Sequence, residues 1–108
     1  MTLHYSSLEE VRRNIDLIDK ELVKLIAQRS LFVSQAARFK DSVKDVVAIQ
    51  RVNAVIDKVK TLSEESGLNP TITEKVYRTM ISAFTEEELS TFDSRYKELK
   101  YYGTSSAG

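Results

Sequence analysis

The chain has no cysteine and no tryptophan, and only one histidine, one proline and three glycines among 108 residues. Without cysteine there is neither a disulfide framework nor a thiolate metal site, and His4 alone cannot build an imidazole centre, so no metal or cofactor is expected. Charge of either sign is not in excess: Lys plus Arg and Asp plus Glu both total 16. No block of five or six like charges occurs, which argues against a nucleic-acid-binding arm or an acidic tail as the main function. No apolar run approaches the roughly 18 residues of a membrane span, and the start MTLHYSSLEE lacks a basic segment followed by an apolar stretch. The expectation is a cytoplasmic protein with neither a membrane nor a nucleic-acid partner.

With 42% apolar residues the chain suffices for one small core, here placed in residues 1–100, followed by a disordered tail at 101–108. Strand alternation is missing and helical periodicity is plentiful. From Leu8 the seam positions recur every three or four residues through Val11, Ile15, Ile18, Leu22, Leu25, Arg29, Phe32, Ala36 and Phe39, all of them apolar except Arg29. Ser7-Leu8-Glu9-Glu10 supplies a Ser-x-x-Glu start signal, so one amphipathic helix is predicted from Leu8 to about Lys40. The register resumes at Ile49, Val52, Ile56 and Val59, and a third helix carries Ile72, Val76, Tyr77, Met80, Ile81, Phe84 and Phe92 before fraying near Tyr101. Between the second and third lies the strongest punctuation, Gly67-Leu68-Asn69-Pro70. Gly67 suits a left-handed position after a helix, and the next helix is capped either by Asn69 with Pro70 in its first position or by Thr71 with Glu74. The fold class is all-α, with three helices per chain.

A helix of about 33 residues is about 50 Å long, whereas a compact domain of 100 residues has a radius of gyration near 13 Å. One chain cannot cover such a seam, and the simplest cover is the same helix of a second copy about a two-fold axis, an intertwined homodimer.

Several polar residues interrupt the apolar pattern. Arg29 falls inside the first seam, where a permanent cation needs an anion. The adjoining heptad column, Arg12, Asp19, Ile26, Val33, Lys40, ends at both extremes in a cation. Glu88 occupies a core-facing place on the column Tyr77, Ile81, Phe84, Phe92, so it must pair with a cation or keep its proton. Arg51, one residue before Val52, sits on the shoulder of the second helix. Taken singly, each has an ordinary structural reading as a register-setting or surface charge. Together, four cations and one inward carboxyl group describe a site that holds a small dianion by charge and needs little proton transfer. Arg12 and Lys40 lie about 42 Å apart on a straight helix, so each pocket would draw Arg12 from the partner chain.

The pattern Val11-Arg12, Asp19, Ala27-x-Arg29, Lys40, Arg51 and a polar group at 88 resembles the all-helical chorismate mutase family, type II, over about residues 8–95. The resemblance implies an intertwined helical dimer that converts chorismate to prephenate in aromatic amino-acid biosynthesis without a cofactor. It implies that Arg29 and Arg12 of the partner subunit hold the two substrate carboxylates. Lys40 and Glu88 would meet the ether oxygen of the breaking bond, and Arg51 would complete the cationic wall. Three positions depart from the mutase pattern: Ala48 and Val52 replace acidic groups that bind the ring hydroxyl, and Phe84 replaces a frequent serine. The segment Ala36-Ala37-Arg38-Phe39-Lys40 with Arg51-Val52 is closer to isochorismate-pyruvate lyases of the same fold, which lead to salicylate. The mutase is the first expectation, the lyase the second, and a non-catalytic helical dimer module the third.

Overall fold

The structure, a computed structural model, describes residues 7–40 and 48–107, with side chains as far as residue 91. Every regular element among the described residues is helical: α1 (Leu8–Ala37), α2 (Ile49–Glu65) and α3 (Pro70–Ala107). Residues 41–47, between the first two expected helices, lie outside the described residues.

α1 starts where the sequence signals it, with the Ser7 hydroxyl accepting the Glu10 N–H at 3.1 Å, the N-cap contact that satisfies one of the four unpaired donors of a first turn. Its 30 residues make a rod of about 45 Å. It stops at Ala37, short of the expected Lys40: residues 38 and 39 form a turn in which the Lys40 N–H reaches back to the Ala37 carbonyl at 3.1 Å. Phe39 is 85% exposed there.

None of the residues of α1 is buried. Its apolar stripe, from Leu8 through Ile18 and Leu25 to Phe32, is solvent-exposed, Phe32 by 76%. The half-covered residues of its second half are Ile26, Arg29, Ser30, Val33 and Ala37. The chain divides into two compact units between Ala36 and Ala37, so α1 forms the first, while Lys40 and the two later helices belong to the second.

α2 and α3 form an antiparallel hairpin whose turn follows the predicted chemistry. Gly67 takes φ 74°, the left-handed conformation that glycine adopts without a Cβ penalty. Its N–H bonds to the Glu64 carbonyl at 3.1 Å and the Leu68 N–H to the Ser63 carbonyl at 2.9 Å, which together make the Schellman ending. Of the two caps open in the sequence, Asn69 is used: its side-chain oxygen accepts the Thr71 N–H at 3.0 Å, with Pro70 opening the helix. α3 continues past Tyr101, where the sequence suggests fraying, to Ala107. Gly103 is the weak helix former of that stretch, and one glycine costs a helix only about 1 kcal/mol.

The hairpin core is small. Ile56 and Val59 of α2 are 2% and 7% exposed, and they face a half-covered column of α3 made of Thr73, Tyr77, Met80, Ile81 and Phe84. Ser63, 4% exposed, has its hydroxyl satisfied by donation to Thr73 across the helices, as a buried hydroxyl must. On the hairpin surface Glu74 accepts from Arg78 Nε at 2.8 Å and from Lys60 Nζ at 3.4 Å. The Arg78 guanidinium, with Lys60 adding to it, holds the Glu74 carboxyl below its ordinary value. The Ser63–Thr73 contact fixes the register. Moving equal distances from it, back along α2 and forward along α3, brings Val52 level with Phe84 and Ala48 level with Glu88.

Candidate functional site

Glu88 lies on the same half-covered face of α3 as Tyr77 and Phe84, while Glu86 and Glu87 are exposed, as the helical period requires. Its carboxylate meets Lys40. The Lys40 ammonium donates to Oε2 at 3.0 Å and to Oε1 at 3.3 Å, and the two side chains are only 15% and 24% exposed. The cation demanded by the apolar column is thus Lys40, reached across 48 positions of sequence. Desolvating two charges cancels much of their attraction, so such a pair contributes little net stability. It does fix where an ammonium group sits.

Around that pair, the nearest level of α2 is apolar. Ala48 and Val52 are half-buried and carry no hydrogen-bonding side chain, and Phe84 lies level with Val52 on α3. Ala48 also holds φ 23° and ψ 66° at the N-cap of α2, with no side-chain cap, a conformation costly for a residue with a Cβ. The sequence gives no sign of this strain, because alanine is an ordinary residue for a helix start in every respect but its cap. Arg51, in the first turn of α2, is exposed, with no ion-pair partner among the described residues. That first turn contains no acidic residue, so the helix end and the guanidinium add positive potential of the same sign.

The remaining two expected site residues are on α1. Arg12 is exposed and Arg29 half-covered. The 17 positions between them on one continuous helix amount to about 26 Å. One small ligand cannot touch both from a single chain. Lys40 lies beyond the end of α1, so Arg12 and Lys40 do not share one straight helix as the sequence suggests. Of the five expected site residues, the structure joins Lys40 and Glu88 in direct contact and keeps Arg12 away from Arg29 on the same helix.

Among the described residues no cluster of three or more His, Asp or Glu side chains could hold a metal ion, and no helix is long and apolar enough to cross a membrane. A half-buried ammonium–carboxylate pair on an all-helical scaffold, with apolar residues at the same level of α2 and α3, fixes one ammonium group in place. The class is that of small all-helical proteins. The chain belongs to the chorismate mutase type II family, whose model matches residues 11–89, a segment containing Arg12, Arg29, Lys40, Arg51 and Glu88. It is similar to an isochorismate pyruvate lyase of Pseudomonas aeruginosa, 30% identical over 84 residues that cover 78% of this chain and 83% of that protein. It is also similar to a chorismate mutase of Methanocaldococcus jannaschii, 28% identical over 75 residues, 68% of this chain and 76% of that protein.

Proposed function

We propose that the protein rearranges chorismate to prephenate as a homodimer with two equivalent pockets. The observation that carries this reading is the Lys40–Glu88 pair, a fixed ammonium in a half-buried apolar setting. The reaction breaks the ether C–O bond and forms a C–C bond in one pericyclic step, so it requires no nucleophile and no general base. It requires the enolpyruvyl arm to be held over the ring and the growing negative charge on the ether oxygen to be stabilised. Lys40 supplies the N–H for that oxygen, with Glu88 at its ammonium. Arg29 and Arg12 of the partner subunit hold the carboxylates, and Arg51 adds positive potential. A positioned donor at a developing oxyanion is worth roughly 100- to 1,000-fold in rate.

The dimer follows from α1. Burying one large apolar side chain stabilises by about 1.5–3 kcal/mol, and the exposed stripe offers many, among them Leu8, Ile15, Ile18, Leu22, Leu25 and Phe32. A second copy of α1 presents the same stripe and satisfies it without a further partner. The about 26 Å between Arg12 and Arg29 then becomes the distance separating two pockets along one helix.

Isochorismate-pyruvate lyase is the second reading. It is supported by the similarity to the Pseudomonas lyase and by Ala48 and Val52, which offer no hydrogen bond to a ring hydroxyl. Incubating the purified protein separately with chorismate and with isochorismate decides between them. Prephenate from chorismate supports the mutase; salicylate with pyruvate from isochorismate, and no prephenate, replaces it with the lyase. No product from either substrate, with a thermal midpoint indifferent to both, leaves a non-catalytic helical dimer.

A further inference from the structure

We infer that Ser30 is a substrate-binding residue, its hydroxyl donating a hydrogen bond to the same ligand carboxylate that Arg29 holds. The inference rests on the role proposed for Arg29. α1 has no buried residue, and in its second half the half-covered ones are Ile26, Arg29, Ser30, Val33 and Ala37. Their steps of three, one, three and four positions trace one side of a helix. Three of the five are apolar and one is the cation, which leaves Ser30 as the neutral polar group of that side.

A short polar side chain inside a helix has two ordinary places, pointing to water or bonded to the carbonyl four residues back. Ser34, one turn on, is exposed and takes the first. Asn14, Thr61 and Thr79 take the second, donating to the carbonyls of Glu10, Asp57 and Lys75 at 2.8, 3.2 and 2.9 Å. Ser30 takes neither. It is half-covered and makes no hydrogen bond among the described residues, so its donor is unused.

Arg29 and Ser30 leave the helix about 100° apart. Ile26 lies one turn before both and Val33 one turn after both, so the ground between guanidinium and hydroxyl is apolar at either end. A carboxylate set there accepts from both side chains. It has about four acceptor positions, of which a guanidinium fork takes two and the hydroxyl a third. The apolar flanks lower the local dielectric and strengthen each bond. Neither carboxylate of the proposed substrates reacts, so the bond is as strong in the ground state as in the transition state. It therefore acts on binding and not on turnover.

The test measures kcat, KM and the ligand-free thermal midpoint of the full-length protein and of its Ser30→Ala, Ser30→Thr and Arg29→Ala variants. The substrate is whichever of chorismate and isochorismate the protein converts, since both carry the same two carboxylates. Ser30→Ala removes a hydroxyl that has no protein partner and installs a better helix former, so its midpoint stays level or rises. Its KM rises roughly 10- to 100-fold, the range for losing a hydrogen bond to a charged group, while kcat stays within about twofold. Ser30→Thr keeps the hydroxyl and recovers most of the affinity. A wild-type KM in Ser30→Ala overturns the role assigned to Ser30. So does a loss that Ser30→Thr shares in full, because the hydroxyl is then not the group that matters, and so does a fall in kcat at unchanged KM. A wild-type KM in Arg29→Ala overturns the underlying reading of the site, an outcome distinct from a loss at Arg29 with none at Ser30.

Discussion

Two inactive arginine variants should restore one another when mixed. Arg12 and Arg29 both lie on α1, 17 positions apart, so about 26 Å separates their backbones. In the proposed dimer each pocket then combines Arg29 of one chain with Arg12 of the partner subunit. In an Arg12→Ala homodimer both pockets lack one arginine, and the same holds for Arg29→Ala. Losing a charge-assisted contact to a substrate carboxylate costs roughly 10- to 100-fold in kcat/KM. A heterodimer of the two variants has one pocket with both arginines and one with neither. Random exchange at equal concentration makes about half the dimers mixed, so about a quarter of all pockets regain the wild-type set. Activity assayed at saturating substrate before and after subunit exchange should climb from the residual parental level to about a quarter of wild type. Mixing Arg12→Ala with the Arg12→Ala/Arg29→Ala double variant provides the control and should restore nothing. If differently tagged chains prove that exchange has occurred and activity stays at the parental level, the division of the site between chains is refuted.

Three further outcomes test the scaffold. Ile56→Ala removes the most buried side chain of the described residues and should cost about 2–5 kcal/mol in denaturant unfolding, with helicity retained at low denaturant. Ala48→Gly should relieve the φ 23° conformation and raise stability by about 0.5–1 kcal/mol, read as a higher thermal midpoint; a lower midpoint would mean that the conformation is not strained. Glu74, held below its ordinary carboxyl value chiefly by Arg78, binds protons more readily in the unfolded chain. Its contribution is therefore complete above the unfolded value near 4.5 and is lost as pH falls through the folded value. Glu74→Gln should make stability fall less steeply below about pH 4.5, measured against wild type by urea unfolding, and an unchanged slope would contradict the pairing.

How far the sequence could be read depended on how local the determining physics was. Helix starts and stops rest on contacts within a few residues, and Ser7, Gly67, Asn69 and Pro70 were legible for that reason. The choice between Asn69 and Thr71 as cap was open because both satisfy the local pattern, and the backbone geometry of the turn decided for Asn69. The end of α1 falls a few residues before the expected Lys40, and the sequence does not show it because Arg38, Phe39 and Lys40 carry no breaker. Glu88 was visible as an anomaly in an apolar column, but its partner lies 48 positions away. Periodicity narrows such a partner to a cation and cannot select Lys40 over Arg51.

The site's charges and its apolar wall answer different questions about the substrate. Holding two carboxylates and stabilising an ether oxygen calls on cations, and these interactions are the same for any ring dicarboxylate with an enolpyruvyl ether. They favour bond breaking at that ether without dictating where the freed fragment goes. Discrimination between substrates that differ in the place of one hydroxyl is strong only where the site has a group built to bond it, because an unmatched buried polar group is what penalises the wrong isomer. The positions level with the Lys40–Glu88 pair on α2 are Ala48 and Val52, and neither leaves a donor or acceptor stranded whichever isomer enters. On the proposed reading, the choice between rearrangement and elimination therefore falls to how apolar side chains at the level of Ala48, Val52 and Phe84 fold the enolpyruvyl arm, a matter of shape, while the proposed cations would supply the rate to either course.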